Sequence, residues 1–151
     1  MLLTGTFSRS VDEKQRVTIP KDLRAALGEA GGKVLYVAPG TDGSLAIYDE
    51  QSFLQLGERL AVASPAERDV RAFSRLFYAQ ARRVELDKQG RLRVPPELAE
   101  WAELASDAVL VGVGGHMELW EAKKWKTYSE QKQDHYDELA ESAFGGSHKP
   151  G

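Results

Sequence analysis

The feature that most constrains this chain is that it repeats itself. Asp12-Glu13-Lys14-Gln15-Arg16-Val17-Thr18-Ile19-Pro20-Lys21-Asp22-Leu23 aligns with Asp87-Lys88-Gln89-Gly90-Arg91-Leu92-Arg93-Val94-Pro95-Pro96-Glu97-Leu98 at an offset of 75, with Asp, Arg, Pro and Leu identical. Val34-Leu35-Tyr36 falls on Val109-Leu110-Val111 at the same offset, and Leu45-Ala46-Ile47-Tyr48-Asp49 falls on Met117-Glu118-Leu119-Trp120-Glu121 at 72. The intervening turn is therefore read as three residues shorter in the second copy. Three ordered blocks at nearly one spacing make each copy a single supersecondary unit whose apolar face must be covered by its neighbour.

Both copies predict the same elements. Residues 5–11 suggest a first strand, the Asp-to-Arg segment a turn, and Val17-Thr18-Ile19 a second strand with apolar alternation. Pro20 or Pro95 then ends the strand and opens a short helix, its fixed φ suiting the first helical position. Val34 to Val37 and Leu45 to Tyr48 form a hairpin around Pro39-Gly40-Thr41-Asp42-Gly43, matched by Val109 to Val113 and Met117 to Trp120 around Gly114-Gly115. A helical segment follows each copy. Ser64-Pro65-Ala66-Glu67 has capping-box spacing with Pro at the first helical position, ahead of Val70, Phe73 and Phe77. Trp125, Tyr128, Tyr136 and Leu139 fit an amphipathic stripe from Glu121 onward and read as core or subunit packing. Residues 145–151 read as a disordered tail.

With 151 residues, 42% hydrophobic and 28% charged, two such units can share a core. A globular chain of this length buries roughly 70% of its unfolded surface without a disulfide or a structural metal. The absence of cysteine excludes zinc ribbons, thiol catalysis and a stapled secreted scaffold. The start, Met1-Leu2-Leu3-Thr4-Gly5-Thr6-Phe7-Ser8-Arg9, lacks the apolar core of a signal peptide, and no stretch approaches the roughly 20 apolar residues of a spanning helix. A cytoplasmic protein is expected.

Net charge is −3, which excludes a uniformly basic nucleic-acid binder. Residues 6–24 and 80–98 nevertheless each hold five basic and three acidic residues, leaving the remaining 113 residues at −7. Positive charge is thus concentrated where the copies match. That distribution fits a nucleic-acid face on an acidic body, and also ordinary surface scatter. Within each copy, the Asp-x-x-x-Arg spacing lets Asp12 orient Arg16 and Asp87 orient Arg91. A guanidinium so aimed can donate two hydrogen bonds to guanine O6 and N7. The same spacing also serves a plain turn-stabilising ion pair.

The Gly5-x-Phe7 lead, the two Asp-x-x-x-Arg turns each followed by hydrophobic-x-hydrophobic-Pro, and the length together resemble the MraZ family of bacterial transcriptional regulators, over about residues 2 to 143. The resemblance implies an α+β fold of two swapped-hairpin AbrB-like β repeats paired as an intrachain pseudo-dimer, each followed by a helix. Its divisions would be a first repeat at 5–51, a connecting helical segment at 52–78, a second repeat at 79–122, and a C-terminal helix and tail at 123–151. It further implies sequence-specific binding to double-stranded promoter repeats upstream of the division and cell-wall gene cluster, as a repressor in the nucleoid. A ring-like homo-oligomer is implied, with no cofactor, membrane or small-molecule substrate. Carried onto this chain, the DNA-contacting turns are Asp12 to Arg16 and Asp87 to Arg91, with Lys14 and Lys88 contacting phosphate and Arg93 facing solvent on the same strand. The family has Gly before the motif Arg; copy two keeps Gly90, whereas copy one has Gln15, a source of strain if φ is positive there. Copy one also ends in Leu23-Arg24 against Leu98-Ala99, so the halves need not contribute equally.

Two other function classes compete. An enzyme has thin support: His116, His135 and His148 are scattered without metal-ligand spacing, and Gly112-Val113-Gly114-Gly115 joins two strands rather than opening a helix, unlike a phosphate loop. An antitoxin-like protein-binding module is the stronger rival, with the aromatic helix after Glu121 as its partner surface.

Overall fold

A computed structural model describes residues 1–31, 33–64 and 66–145, with backbone alone for 29–31. It divides into two compact units, Met1–Glu121 and a second that starts at Ala122. Among the described residues of the first unit, eight strands and four helices follow in order: β1 (Thr6–Ser10), β2 (Arg16–Thr18), α1 (Lys21–Gly31), β3 (Val34–Pro39), β4 (Leu45–Asp49), α2 (Glu50–Val62), α3 (Arg68–Gln80), β5 (Arg82–Glu85), β6 (Arg91–Arg93), α4 (Pro96–Trp101), β7 (Asp107–Gly112) and β8 (Met117–Glu121). The mixed α+β class that the resemblance implies is the one observed.

The two copies are interlocked rather than side by side. A six-stranded antiparallel sheet runs β1-β7-β8-β4-β3-β5, and β2 pairs with β6 in a separate two-stranded ribbon. The first strand of each copy therefore completes the sheet of the other: β1 lies on β7, and β5 lies on β3. Each first and second strand are joined by the Asp-to-Arg turn and then part company, one to the sheet and one to the ribbon. One ribbon is thus shared between the copies.

The swap also corrects the alignment. Arg9 sits opposite Ala108 and Val84 opposite Leu35, while Leu35 faces Asp49 and Ala108 faces Glu121. Leu35 thus corresponds to Ala108, an offset of 73 rather than 75. Two residues are lost before the hairpin and one within it, where residues 40–44 become 113–116.

The core is sandwiched between ribbon and sheet. Val17 and Leu92 from the ribbon, Leu23 and Leu98 from α1 and α4, and Leu35, Ile47, Leu110 and Leu119 from the sheet are all fully buried. On the opposite sheet face Tyr36 and Tyr48 meet Phe53 of α2 and Phe77 of α3, with Tyr36 and Phe53 stacked at 4.5 Å. Asp49 caps α2 by accepting the Ser52 N–H at 2.7 Å, a start signal that the sequence reading passed over.

Several local expectations are corrected. Pro20 and Pro95 stand one residue before the helix, where their carbonyls accept from Arg24 and Ala99; Pro96 takes the first helical position. The capping box does not form, because α3 begins at Arg68 and its N-cap, Glu67, makes no side-chain cap bond; Pro65 lies outside the described residues. Of the apolar stripe, Phe77 is buried but Phe73 is 47% exposed.

The second unit holds α5 (Ala122–Gln133) and α6 (Tyr136–Gly145), separated by a break at Asp134-His135. Trp125 and Tyr128 stack at 6.2 Å and Lys132 lies over the Tyr128 ring, but neither helix has a buried residue, and Tyr136 and Leu139 are exposed. The stripe read as core or subunit packing is therefore carried by two helices rather than one. Gly145, expected in the tail, closes α6; residues 146–151 lie outside the described residues. No helix among the described residues is long and apolar enough to cross a membrane.

Candidate nucleic-acid interface

Each Asp-to-Arg segment is a three-residue hairpin loop. In the first, the Asp12 N–H donates to Arg16 O and the Gln15 N–H to Asp12 O, at 3.1 and 3.0 Å; in the second, the Asp87 N–H donates to Arg91 O and the Gly90 N–H to Asp87 O, at 3.1 and 2.9 Å. This pattern needs a left-handed residue in third place, and both loops supply it, Gln15 with φ 62° and Gly90 with φ 76°. Gln15 is thus held where a side chain costs roughly 1–2 kcal/mol. Its buried Oε1 also lacks a hydrogen-bond partner.

The aspartates do two jobs at once. Asp12 Oδ1 accepts the backbone N–H of Lys14 and of Arg16 at 2.9 and 2.8 Å, while Oδ2 accepts Arg16 Nε at 2.7 Å. Asp87 does the same with Gln89, Arg91 and Arg91 Nε, at 2.9, 2.9 and 2.7 Å. These bonds hold both carboxyls below the usual carboxylate range, the backbone N–H of Arg16 or Arg91 contributing most and partial burial opposing it. Because each arginine spends Nε on its aspartate, the two terminal nitrogens remain for another acceptor.

The ribbon then carries the arginines outward. Val17 and Leu92 point into the core, so Arg16, Thr18, Arg91 and Arg93 share the opposite face. Arg16 sits opposite Arg93 and Thr18 opposite Arg91. Pairing extends to Ile19 with Gly90 and Val94 with Gln15, so the two loops lie at opposite ends. At about 3.4 Å per residue they are about 14 Å apart. Arg93 Nε donates to Lys14 O at 3.1 Å, tying the second copy's strand to the first copy's loop. Arg16 and Arg93 are directly opposed cations, an unfavourable pairing in a sheet that Asp12 offsets at Arg16.

All seven residues singled out from the sequence, Asp12, Lys14, Arg16, Asp87, Lys88, Arg91 and Arg93, therefore lie on this ribbon and its loops. Thr18 joins them, a place its alternation with Val17 already implied. Arg24 was read only as a difference between the copies. Its Nε donates to Ile19 O at 3.1 Å, and a Cβ at Gly90 would lie 2.7 Å from its guanidinium. At the corresponding positions stand Ala99 and Gln15, so a larger loop residue goes with a smaller helix residue.

The histidines fall elsewhere. His116 stacks on Tyr48 at 4.8 Å, and burial lowers its pKa. His135 lies 3.3 Å from Glu138, and His148 lies outside the described residues. No group of three His, Cys, Asp or Glu among the described residues is placed to hold a metal.

The family described as "MraZ protein, putative antitoxin-like" matches the chain twice, over residues 2–76 and 77–146. Among similar proteins, "Transcriptional regulator MraZ" of Heliobacterium modesticaldum is 36% identical over 140 residues, covering 93% of this chain and 95% of its own length. The proteins of the same name from Desulfitobacterium hafniense (strain DSM 10664 / DCB-2) and Finegoldia magna are 38% and 35% identical, each covering 93% of this chain and, respectively, 96% and 95% of their own. Among solved structures, the solution structure of PHS018 from Pyrococcus horikoshii aligns at TM-score 0.36 and 13% identity, over 77% of this chain and 95% of that one.

Proposed function

The chain belongs to the MraZ family, and from that premise we propose that it regulates transcription by sequence-specific binding of DNA, as a repressor of the division and cell-wall gene cluster. The observation that carries this reading is the outward face of the ribbon, where Arg16, Arg91 and Arg93 stand together over a buried Val17 and Leu92. A two-stranded ribbon fits the major groove, and arginine is the residue most suited to reading guanine there. Arg16 and Arg91 read bases; Lys14, Lys88 and Arg93 contact phosphate. Asp12 and Asp87 are positioning residues that act through their arginines.

One ribbon presents few base contacts, so several copies must act on repeated operator elements to select a site. Self-association into a ring-like homo-oligomer is supported by the apolar side chains that α2 and α3 leave in water: Leu54, Val62 and Leu76 are 66%, 86% and 64% exposed. The test is a gel shift of the purified protein with the DNA upstream of its own gene, at two salt concentrations and against a scrambled duplex. The reading predicts a shift specific to the native sequence that weakens with salt. Equal binding of both duplexes, or none, contradicts it.

A further inference from the structure

Behind the second loop lies a groove whose charge the first loop does not reproduce. Arg24, Lys33 and Lys88 line it together with Glu85 and Asp87. Both carboxylates are already engaged by arginines outside the groove, Glu85 by Arg83 at 3.1 Å and Asp87 by Arg91 at 2.7 Å. Among the described residues none of the three lining cations has an ion-pair partner, and Arg24 spends only Nε, on Ile19 O. The groove is therefore strongly positive in effect although its composition looks mixed.

The pseudo-twofold supplies an internal comparison. Lys33 O accepts the Leu86 N–H at 2.9 Å as Ser106 O accepts the Val11 N–H at 2.9 Å, so Lys33 corresponds to Ser106. Arg24 and Ala99 each donate their N–H to the proline ahead of the helix, at 3.0 and 2.9 Å. Lys88 takes the place of Glu13. The three cations of this groove, two from the first copy and one from the second, are thus Ala99, Ser106 and Glu13 at the pseudo-twofold equivalent, a change from +3 to −1.

We propose that this groove is a phosphate-binding subsite present in one half of the pseudo-dimer, taking a backbone phosphate of the duplex beside the second loop. The proposal rests on the DNA-binding reading above. A guanidinium with free terminal nitrogens and two ammonium groups suits a phosphate's several acceptor oxygens. Such a one-sided clamp makes the two loops unequal and gives the ribbon a fixed direction on its target.

The test is the double variant Arg24→Ala, Lys33→Ser in the full chain. Each substitution installs what the other half already carries, so the fold accommodates it. A charge-matched control, Arg68→Ala, Arg75→Ala, removes the same charge from α3. Binding to a labelled random-sequence duplex is measured against KCl concentration, and the Gly90 amide is followed by NMR during titration with inorganic phosphate. The groove variant is expected to lose roughly tenfold in affinity and to flatten the log K against log salt slope by about one, while the control keeps the wild-type slope. That difference supports the proposal with or without a Gly90 response, because a lone ion binds weakly. Equal slopes for the groove variant and the wild type, or equal flattening in groove variant and control, overturn the DNA subsite while leaving DNA binding itself intact. If the wild type binds no duplex yet phosphate moves Gly90 in it and not in the groove variant, the DNA reading falls and the groove stands as a site for free phosphate. No duplex binding and no Gly90 response overturn both.

Discussion

Arg16 Nε donates to Asp12 Oδ2 at 2.7 Å, and this one bond turns a loop cap into an aiming device. The same carboxylate that closes the loop through Oδ1 fixes the arginine through Oδ2. Asp87 and Arg91 repeat the arrangement. Asparagine at both positions keeps an acceptor for the backbone but turns an N–H toward Nε. The double variant Asp12→Asn, Asp87→Asn is expected to stay folded by circular dichroism while discrimination between native and scrambled duplex falls about tenfold, equivalent to about 1.4 kcal/mol. Binding to random DNA should hold or tighten, since two negative charges are gone. A loss of both in equal measure would mean that the aspartates do not act by aiming.

The pH response of these carboxyls has a definite sign. Their folded pKa lies below the unfolded value, so the stabilisation they give is fully present above the ordinary carboxylate range and is lost as pH falls through the depressed value. The Nε–H resonances of Arg16 and Arg91 should therefore be flat from pH 8 down to 5 and move only in acid. Movement near neutral pH would contradict the bonding described.

His116 behaves oppositely in kind though not in direction. Burial against Tyr48 disfavours its charged form and lowers its pKa below 6.5, so the unfolded chain takes up the proton first as pH falls. Stability should rise with pH through the window from the depressed value up to 6.5, and His116→Gln should remove that part of the slope. Denaturation midpoints between pH 5 and 8 read it directly.

Loop and helix residues should be coupled. Gly90→Gln places a side chain at φ 76° against the Arg24 guanidinium and should cost roughly 1–3 kcal/mol. Adding Arg24→Ala copies the pairing of Gln15 with Ala99 and should recover part of that loss. Gln15→Gly should stabilise by up to about 1 kcal/mol, relieving the backbone and an unpartnered buried Oε1. Urea midpoints for the wild type, Gly90→Gln, Arg24→Ala and the double variant form a double-mutant cycle; strict additivity would show that positions 24 and 90 do not meet.

How much was legible in the sequence differs from element to element. Asp12 to Pro20 and its copy were legible because a loop closed by Asp and Arg and a strand stopped by Pro each have a local chemical signature. Partner choice was not: nothing in Thr6–Ser10 says that it pairs with β7 rather than with its own hairpin, since both present an apolar face. The register of Leu35 was misread by two residues for a related reason. A slip of two leaves every side chain on its original face, so the hydrophobic pattern cannot detect it. Asp49 capping α2 left a readable mark, whereas the break at Asp134-His135 carries neither Gly nor Pro. Arg24 became meaningful only once its contact with Gly90 brought two distant positions together.

The central claim is that Arg16 and Arg91 read bases from a shared ribbon, and its most direct test is the ratio of affinities for native and scrambled upstream duplex in the Arg16→Ala, Arg91→Ala protein. The account predicts a folded protein, with its midpoint within a few degrees of wild type, whose ratio collapses toward one as about 1–3 kcal/mol is lost per contact. A folded double variant that still prefers its native duplex as strongly as the wild type would contradict it.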